Sequence, residues 1–333
     1  MSGPIILVTG GAGFIGSNIV ARLAADPGLE VAVCDSLGEA HTGKWRNLAK
    51  HPIADLISPQ AMWPWLEKRR DEVDIVIHMG AVSSTLESNV DAVLAANFGL
   101  SRDLFLWCAH HKVRLIYASS AATYGDGSRG FDDASDLGSL AALRPLNPYG
   151  WSKALFDAFA VRQASRGQAP PQWAGLKFFN VYGPSEEHKG DMRSVASQIW
   201  PAVAAGQPVK LFRSANPDYP DGGQMRDFVY VEDGVDVVAW LVDNPQVNGV
   251  FNMGSGKARS FKDLAEAVFK AAGRDPRLEY VDMPRALEDR YQYFTQARLE
   301  RLRAAGYGRE MTSLEAGVDD YVRRFLSQPD PYR

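Results

Sequence analysis

Cysteine is scarce in this chain: among 333 residues only Cys34 and Cys108 occur, far apart and without metal-type spacing. Two such thiols give no disulfide framework and no metal site, and they suit a reducing compartment, so a cytoplasmic location is expected. An excess of either charge is also missing. Thirty-six Lys and Arg stand against 40 Asp and Glu, a net charge of −4, so nothing global points to nucleic acid or to an anionic membrane. No apolar run is long enough to span a bilayer. The opening MSGPIILVTGG has no basic segment before its apolar run and meets glycine straight after it, which reads as a strand and not as a signal peptide. Internal repeats and low-complexity segments are lacking too. What remains has 46% hydrophobic and 23% charged residues, as in ordinary globular proteins. Its length allows one large α/β domain or two unequal lobes.

The apolar runs that are present alternate with longer amphipathic stretches. IILVTG, EVAVCD, VDIVIHMGA, VRLIYASS and LKFFNVYG read as strands separated by helices, the first of them from about Gly13 to Ala25. That alternation predicts a parallel sheet covered on both faces, a Rossmann-type doubly wound α/β unit. Residues 1–183 are assigned to it, with segments of about 226–254 returning, since RDFVYVEDGVDVVAWLVDNP reads as a strand and a helix that come back to the main sheet. Pro, Gly and charged residues in PSEEHKGDMRS and SANPDYPDGGQMR mark binding loops. Residues of about 184–225 and 255–333 then form a smaller, discontinuous α/β lobe for substrate.

Gly10, Gly13 and Gly16 in VTGGAGFIG follow a strand and open a helix. Glycines so placed allow a tight turn, close backbone approach to a pyrophosphate and close helix–strand packing, while helix N-terminal N–H groups face the anion. Asp35 ends the next strand 22 residues after Gly13, where an acid can hydrogen-bond an adenosine ribose. Asp35 disfavours a 2′-phosphate, whereas Lys44 and Arg46 lie on a loop that could bind one. The residues alone leave the choice between NAD and NADP open, because the two cations could equally be solvated.

In NPYGWSKALF, Tyr149 and Lys153 stand one helical turn apart, so both can face a common ligand. A phenol acting as a base near neutral pH needs its pKa lowered, which a neighbouring ammonium can do. Ser120 lies at the carboxyl end of RLIYASS, where ligands bind in open α/β sheets. Spacing alone does not separate a catalytic set from an aromatic packed beside an amine.

TGGAGFIG, YASSAATYG and YGWSK together resemble the extended short-chain dehydrogenase/reductases, which use Ser, Tyr and Lys on nucleotide sugars. FNVYGPSEEHKGDM, RDFVYVEDGVDV, FNMGSGKARSF and RYQYFTQARLERLRAAGY narrow the likeness to the ADP-heptose 6-epimerases, over nearly the whole chain. The resemblance implies C6 epimerisation of an ADP-heptose for lipopolysaccharide cores, through a 6-keto intermediate, with NADP as cofactor and NAD as the other option. It implies Tyr149 and Lys189 as two acid–base groups, assisted by Ser120 and Lys153. It further implies a cofactor lined by Gly10, Gly13, Phe14, Ile15, Gly16, Asp35, Ser36, Lys44, Met79, Gly80, Ala81, Val82, Ser83, Asn97, Lys153, Val181 and Lys189. For the substrate it implies Asn180, Asp191, Gln198, Phe212, Arg226 and Tyr291. Homo-oligomers, typically pentamers, are the family's assembly.

Some positions depart from that pattern. Met79 stands where the family often has Glu, Pro59 where a second cofactor lysine can follow, and Gln198 at a histidine position. The segments before Tyr149 and Arg226 are longer than usual. A 4,6-dehydratase is disfavoured, because Ala121 and Ala122 replace the Asp–Glu pair that such chemistry places after the active-site hydroxyl. A UDP-sugar 4-epimerase shares Ser, Tyr and Lys, and differs in having no need of Lys189. A cofactor-binding protein without catalysis is the other alternative.

Overall fold

A computed structural model describes residues 4–84, 87–284 and 292–333. Seven parallel strands form the main sheet in the order β10-β6-β5-β4-β1-β2-β3. They are β1 (Ile5–Thr9), β2 (Glu30–Cys34), β3 (Asp55–Ile57), β4 (Val73–His78), β5 (Arg114–Ser120), β6 (Trp173–Phe178) and β10 (Gly249–Met253). Side chains alternate between the faces of a strand, so β1 sends Ile6 and Val8 to one core and Ile5 and Leu7 to the other. The first core is closed by α1 (Phe14–Leu23) and α8 (Val231–Asp243). The second is closed by α2 (Met62–Arg69), α4 (Leu100–His111) and α6 (Pro148–Ser165). Burial on both faces is why these strands read as continuous apolar runs. The short helices α3 (Val90–Leu94) and α5 (Leu137–Ala141) lie on the connections.

The second lobe has two small sheets. β11 (Ala258–Ser260), β9 (Met225–Tyr230) and β7 (Asn180–Tyr182) form one, and β12 (Leu278–Val281) with β8 (Val209–Phe212) the other. They share a third core with α7 (Val195–Ala204), α9 (Phe261–Ala271) and α11 (Leu314–Tyr321), while α10 (Glu300–Ala304) sends Leu302 into the first core.

Two strands differ from the sequence reading. LKFFNVYG is two strands: Phe179 gives its N–H to the Met253 carbonyl at 3.0 Å, and the chain then leaves the main sheet for β7. The RDFVYV strand does not lead back into the main sheet but pairs with β7 and β11. The helix and strand after it, α8 and β10, do return, with β10 on the sheet edge beside β6. Periodicity gives a strand its faces and not its neighbours, so this allocation was not readable from pattern.

Candidate active site

A cavity of ≈ 420 Å³ opens at the carboxyl ends of β1, β2, β4, β5 and β6, the edge where open parallel sheets hold ligands. At one end lies the glycine turn. Gly10 takes φ +68°, and a Cβ there would lie 2.5 Å from the Gly80 nitrogen. A Cβ on Gly16 would meet the Gly10 carbonyl oxygen at 2.1 Å. The start of α1 is therefore pressed onto the turn, and it begins at Gly13 with no capping side chain. Gly10, Gly13, Phe14, Ile15 and Gly16 line the cavity, as do Met79, Gly80, Ala81 and Ser83 from the end of β4.

Asp35 sits at this end and accepts the Ala12 N–H at 2.9 Å through Oδ2. Its Oδ1 accepts the Lys44 ammonium at 2.7 Å and the Ser36 N–H at 2.7 Å. Lys44 also donates to the Ser36 carbonyl. Arg46 takes a different course, with its guanidinium over the Trp45 and Tyr332 rings at 5.9 and 5.2 Å. The two loop cations thus separate, and of the two only Lys44 lines the cavity.

At the other end α6 starts at Asn147, whose side chain accepts the Gly150 N–H at 2.8 Å, with Pro148 in the first helical turn. A Cβ on Gly150 would approach the Ala122 carbonyl oxygen to 2.5 Å, so glycine lets the helix start close against the turn that follows Ser120. That approach brings Tyr149 to Ser120. Ser120 Oγ accepts the Ala122 N–H at 3.1 Å and hydrogen-bonds the Tyr149 phenol. Burial pushes the phenol's pKa up, and this hydrogen bond opposes it. The lowering expected from the Lys153 ammonium is not what the geometry gives, because Lys153 Nζ donates to the Ala118 carbonyl at 2.8 Å. Burial in turn lowers Lys153 to about 8, against the charge of Asp157. Beneath it His78 is buried between Thr9 Oγ1 at 2.6 Å and Ser101 Oγ at 2.9 Å, and burial depresses its imidazole to about 3.

Lys189 reaches the same cavity from the loop after β7, its ammonium 5.2 Å from the centre of the Phe14 ring. Burial lowers its pKa, opposed by the charge of Glu186. The loop is fixed from both sides. Glu186 accepts the Ser194 N–H, the Ser194 hydroxyl and, at 3.0 Å, the Tyr321 hydroxyl. Asn47 Nδ2 donates to the Ala12 carbonyl at 2.9 Å and the Ser185 carbonyl at 3.2 Å, tying the loop to the glycine turn.

Other sequence-selected residues lie elsewhere. Asn97 is fully buried, exchanging hydrogen bonds with the Val82 backbone at 2.8 and 2.9 Å and donating to Ser152 Oγ at 3.1 Å. It latches the loop after β4 to α6. Val181 packs between the first and third cores. Asn180, Asp191, Gln198 and Ser36 are exposed, with Gln198 donating to the Asp191 and Arg193 carbonyls. Phe212 and Arg226 lie in the second lobe, Arg226 over the Phe261 ring at 5.6 Å. Tyr291 falls outside the described residues. Six lining residues were passed over: Ala118, Ser119, Phe178, His188, Ser84 and Met192. The first three end β5 and β6, so strand-end position could have flagged them; His188 carried no signal beyond its neighbour Lys189.

The family model described as the NAD dependent epimerase/dehydratase family matches residues 6–254. An ADP-L-glycero-D-manno-heptose-6-epimerase of Nitratidesulfovibrio vulgaris is 48% identical, covering 98% of this chain and 99% of its own. The crystal structure of the Helicobacter pylori ADP-L-glycero-D-manno-heptose-6-epimerase superposes with a TM-score of 0.78 at 29% identity, over 97% of this chain and 96% of that one. The Thermus thermophilus UDP-glucose 4-epimerase in complex with NAD gives 0.73 at 29% identity, over 96% and 99%. With its glycine turn and its Ser, Tyr and Lys gathered at the strand ends, the chain belongs to the NAD dependent epimerase/dehydratase family, and within it to the ADP-L-glycero-D-manno-heptose-6-epimerases.

Proposed function

We propose that this protein inverts C6 of an ADP-heptose, converting ADP-D-glycero-D-manno-heptose to the L-glycero form used in lipopolysaccharide cores. The observation that carries the reading is that Lys189 enters the same cavity as Tyr149 and Lys153, from a different element. A simple oxidoreductase needs one proton-transfer group beside its carbonyl. An enzyme that returns hydrogen to the opposite face of a rotated carbonyl meets the oxygen in two places, and a second group serves the second place.

The cavity fits a nicotinamide dinucleotide: Gly10, Gly13 and Gly16 line it with the bare main chain that a pyrophosphate can approach closely, and Asp35 lies where an adenosine ribose is held. Gly10 to Gly16, Asp35, Lys44 and the Met79–Ser83 stretch would hold it, with Lys153 on its nicotinamide half. When bound, it supplies reversible hydride acceptance and donation at C6. We read NADP as the preferred form, since the Lys44 ammonium offsets the charge of Asp35 where a 2′-phosphate would sit.

Tyr149 and Lys189 divide the proton work by environment. Burial raises the phenol and lowers the ammonium, so Tyr149 tends to hold a proton and Lys189 to release one. Ser120 orients the sugar oxygen against Tyr149. Asn180, Asp191, Gln198, Phe212, Arg226 and Tyr291 are assigned to the ADP-sugar, and a homo-oligomer, pentameric in the resembling family, is the proposed assembly. The test is incubation of the purified protein with ADP-heptose and with UDP-hexoses, following C6 and C4 configuration by NMR. Inversion at C6 of the ADP-sugar is expected; inversion at C4 of a UDP-sugar with ADP-heptose untouched overturns the assignment.

A further inference from the structure

Directly behind the Ser120–Tyr149–Lys153 set lies an ion pair with almost no access to water. Asp157 on α6 is 0% exposed and Lys177 on β6 is 1% exposed, with Lys177 Nζ 2.6 Å from Asp157 Oδ2. Two charges taken this far from water are a poor source of stability, and an apolar pair of similar shape usually does as well or better. Their position gives them another use. Asp157 stands one helical turn beyond Lys153, which stands one turn beyond Tyr149, so the three form a stripe along α6.

The pair holds both sides of Ser120. Ser119 Oγ donates to Asp157 Oδ2 at 2.7 Å and the Tyr117 hydroxyl to Oδ1 at 3.1 Å. Gly175 leaves the room Tyr117 occupies, since a Cβ there would lie 2.3 Å from the phenol ring. On the far side Lys177 Nζ donates to Thr123 Oγ1 at 2.8 Å, and Thr123 Oγ1 donates to the Ser120 carbonyl at 2.9 Å. The residue before Ser120 and the turn after it are thus tied to one buried carboxylate–ammonium pair.

We infer that Asp157, with Lys177 as its counter-ion, is a positioning residue for the reaction: it keeps the Lys153 ammonium charged and holds the Ser120 hydroxyl against Tyr149. This rests on the active-site reading above. The groups facing the pair are Lys153 from α6, Tyr117 and Ser119 from β5, Thr123 and Tyr124 from the turn after it, and His78 from β4, which faces Lys153. The charge that acts on Lys153 is that of Asp157, and its influence runs against the desolvation that otherwise discharges the ammonium.

Asp157→Asn alone would strand the Lys177 charge in the core, so the test uses the double variant Asp157→Asn with Lys177→Gln, which removes both charges and keeps the shapes. The Lys153 ammonium is titrated by NMR in protein labelled with 15N at lysine Nζ, assigned by loss of its signal in Lys153→Arg. No substrate is involved, so this arm stands or falls independently of the epimerase assignment. A fall of about one unit in the Lys153 pKa is expected. In steady-state assays the high-pH limb of kcat should move down by the same amount, with KM for the ADP-sugar changed less than twofold and activity recovering toward wild type below pH 7. A Lys153 titration in its wild-type place overturns the electrostatic role. Thr123→Val keeps the ion pair and removes the link to Ser120. It should lower kcat about tenfold, as for loss of one positioning contact, with the pH limb in place. This second variant reports even if the double variant does not fold, and a kcat within twofold of wild type overturns the positioning role.

Discussion

The two ends of the cavity are built from different materials. At the adenosine end the shape is set by main chain: Gly10 and Gly16 are glycines because a Cβ would strike Gly80 or the carbonyl of Gly10 itself. At the tyrosine end it is set by side chains from separate elements, with Ser119 from β5, Tyr149 and Lys153 from α6 and Lys189 from the loop after β7. A main-chain cradle tolerates no added atom and gives nearly the same site wherever it is written. A side-chain site can be tuned atom by atom, but it depends on every element that delivers a group. The first suits an invariant dinucleotide, the second a reaction that needs two differently perturbed proton carriers.

Breaking the side-chain end should cost most in rate. Tyr149→Phe and Lys189→Met are each expected to lower kcat roughly 10²- to 10⁴-fold while leaving cofactor affinity nearly unchanged, as read by C6 NMR assays and by cofactor titration. Near-normal turnover by either would remove the two-group scheme. Breaking the main-chain end should show the opposite split. Gly16→Ala is expected to abolish cofactor binding and to lower stability by about 1–3 kcal/mol, measured by calorimetric titration and urea denaturation.

The link between the ends comes next. Asn47→Ala removes the bonds from the glycine turn to the Lys189 loop, and about 1–2 kcal/mol of stability should go with them. If the loop is held mainly through Glu186, urea midpoints will barely move. Lys44→Ala should weaken NADP binding about tenfold, roughly the value of one charge-assisted contact, and leave NAD binding nearly as it was; equal losses for both cofactors would refute the 2′-phosphate assignment. The remaining effect concerns acid. The folded-state pKa of His78, about 3, lies below the ordinary histidine value of 6.5. Its contribution is therefore complete above pH 6.5 and declines as pH falls toward 3, by up to about 1.4 kcal/mol per pH unit. Urea denaturation between pH 7 and 4 should show this slope, reduced in His78→Gln.

Much of this was legible in advance, for physical reasons that differ by residue. The glycine turn could be read because its steric demands fall within a few consecutive positions, and Asp35 because strand and turn lengths fix where the second strand ends. Tyr149 and Lys153 could be paired by helical spacing but not assigned by it, since the expected lowering of the phenol depended on where the ammonium points, and it points to Ala118. Lys189 was placed by resemblance alone. Asn97 was selected as a cofactor residue by resemblance, and the structure gives it the Val82 backbone and Ser152 as partners. The Asp157–Lys177 pair carried no sequence signal, because 20 residues and a change of element separate its partners.

The sequence by itself determined the alternating strand and helix order, the main-chain cradle and the shared face of Tyr149 and Lys153 along α6, because each follows from local geometry and short spacing. Tertiary structure alone decided that RDFVYV pairs outside the main sheet, that Lys189 shares a cavity with Tyr149, and that Lys177 meets Asp157. Those outcomes depend on which surfaces meet across long stretches of chain, and on how much water the meeting removes from each charge.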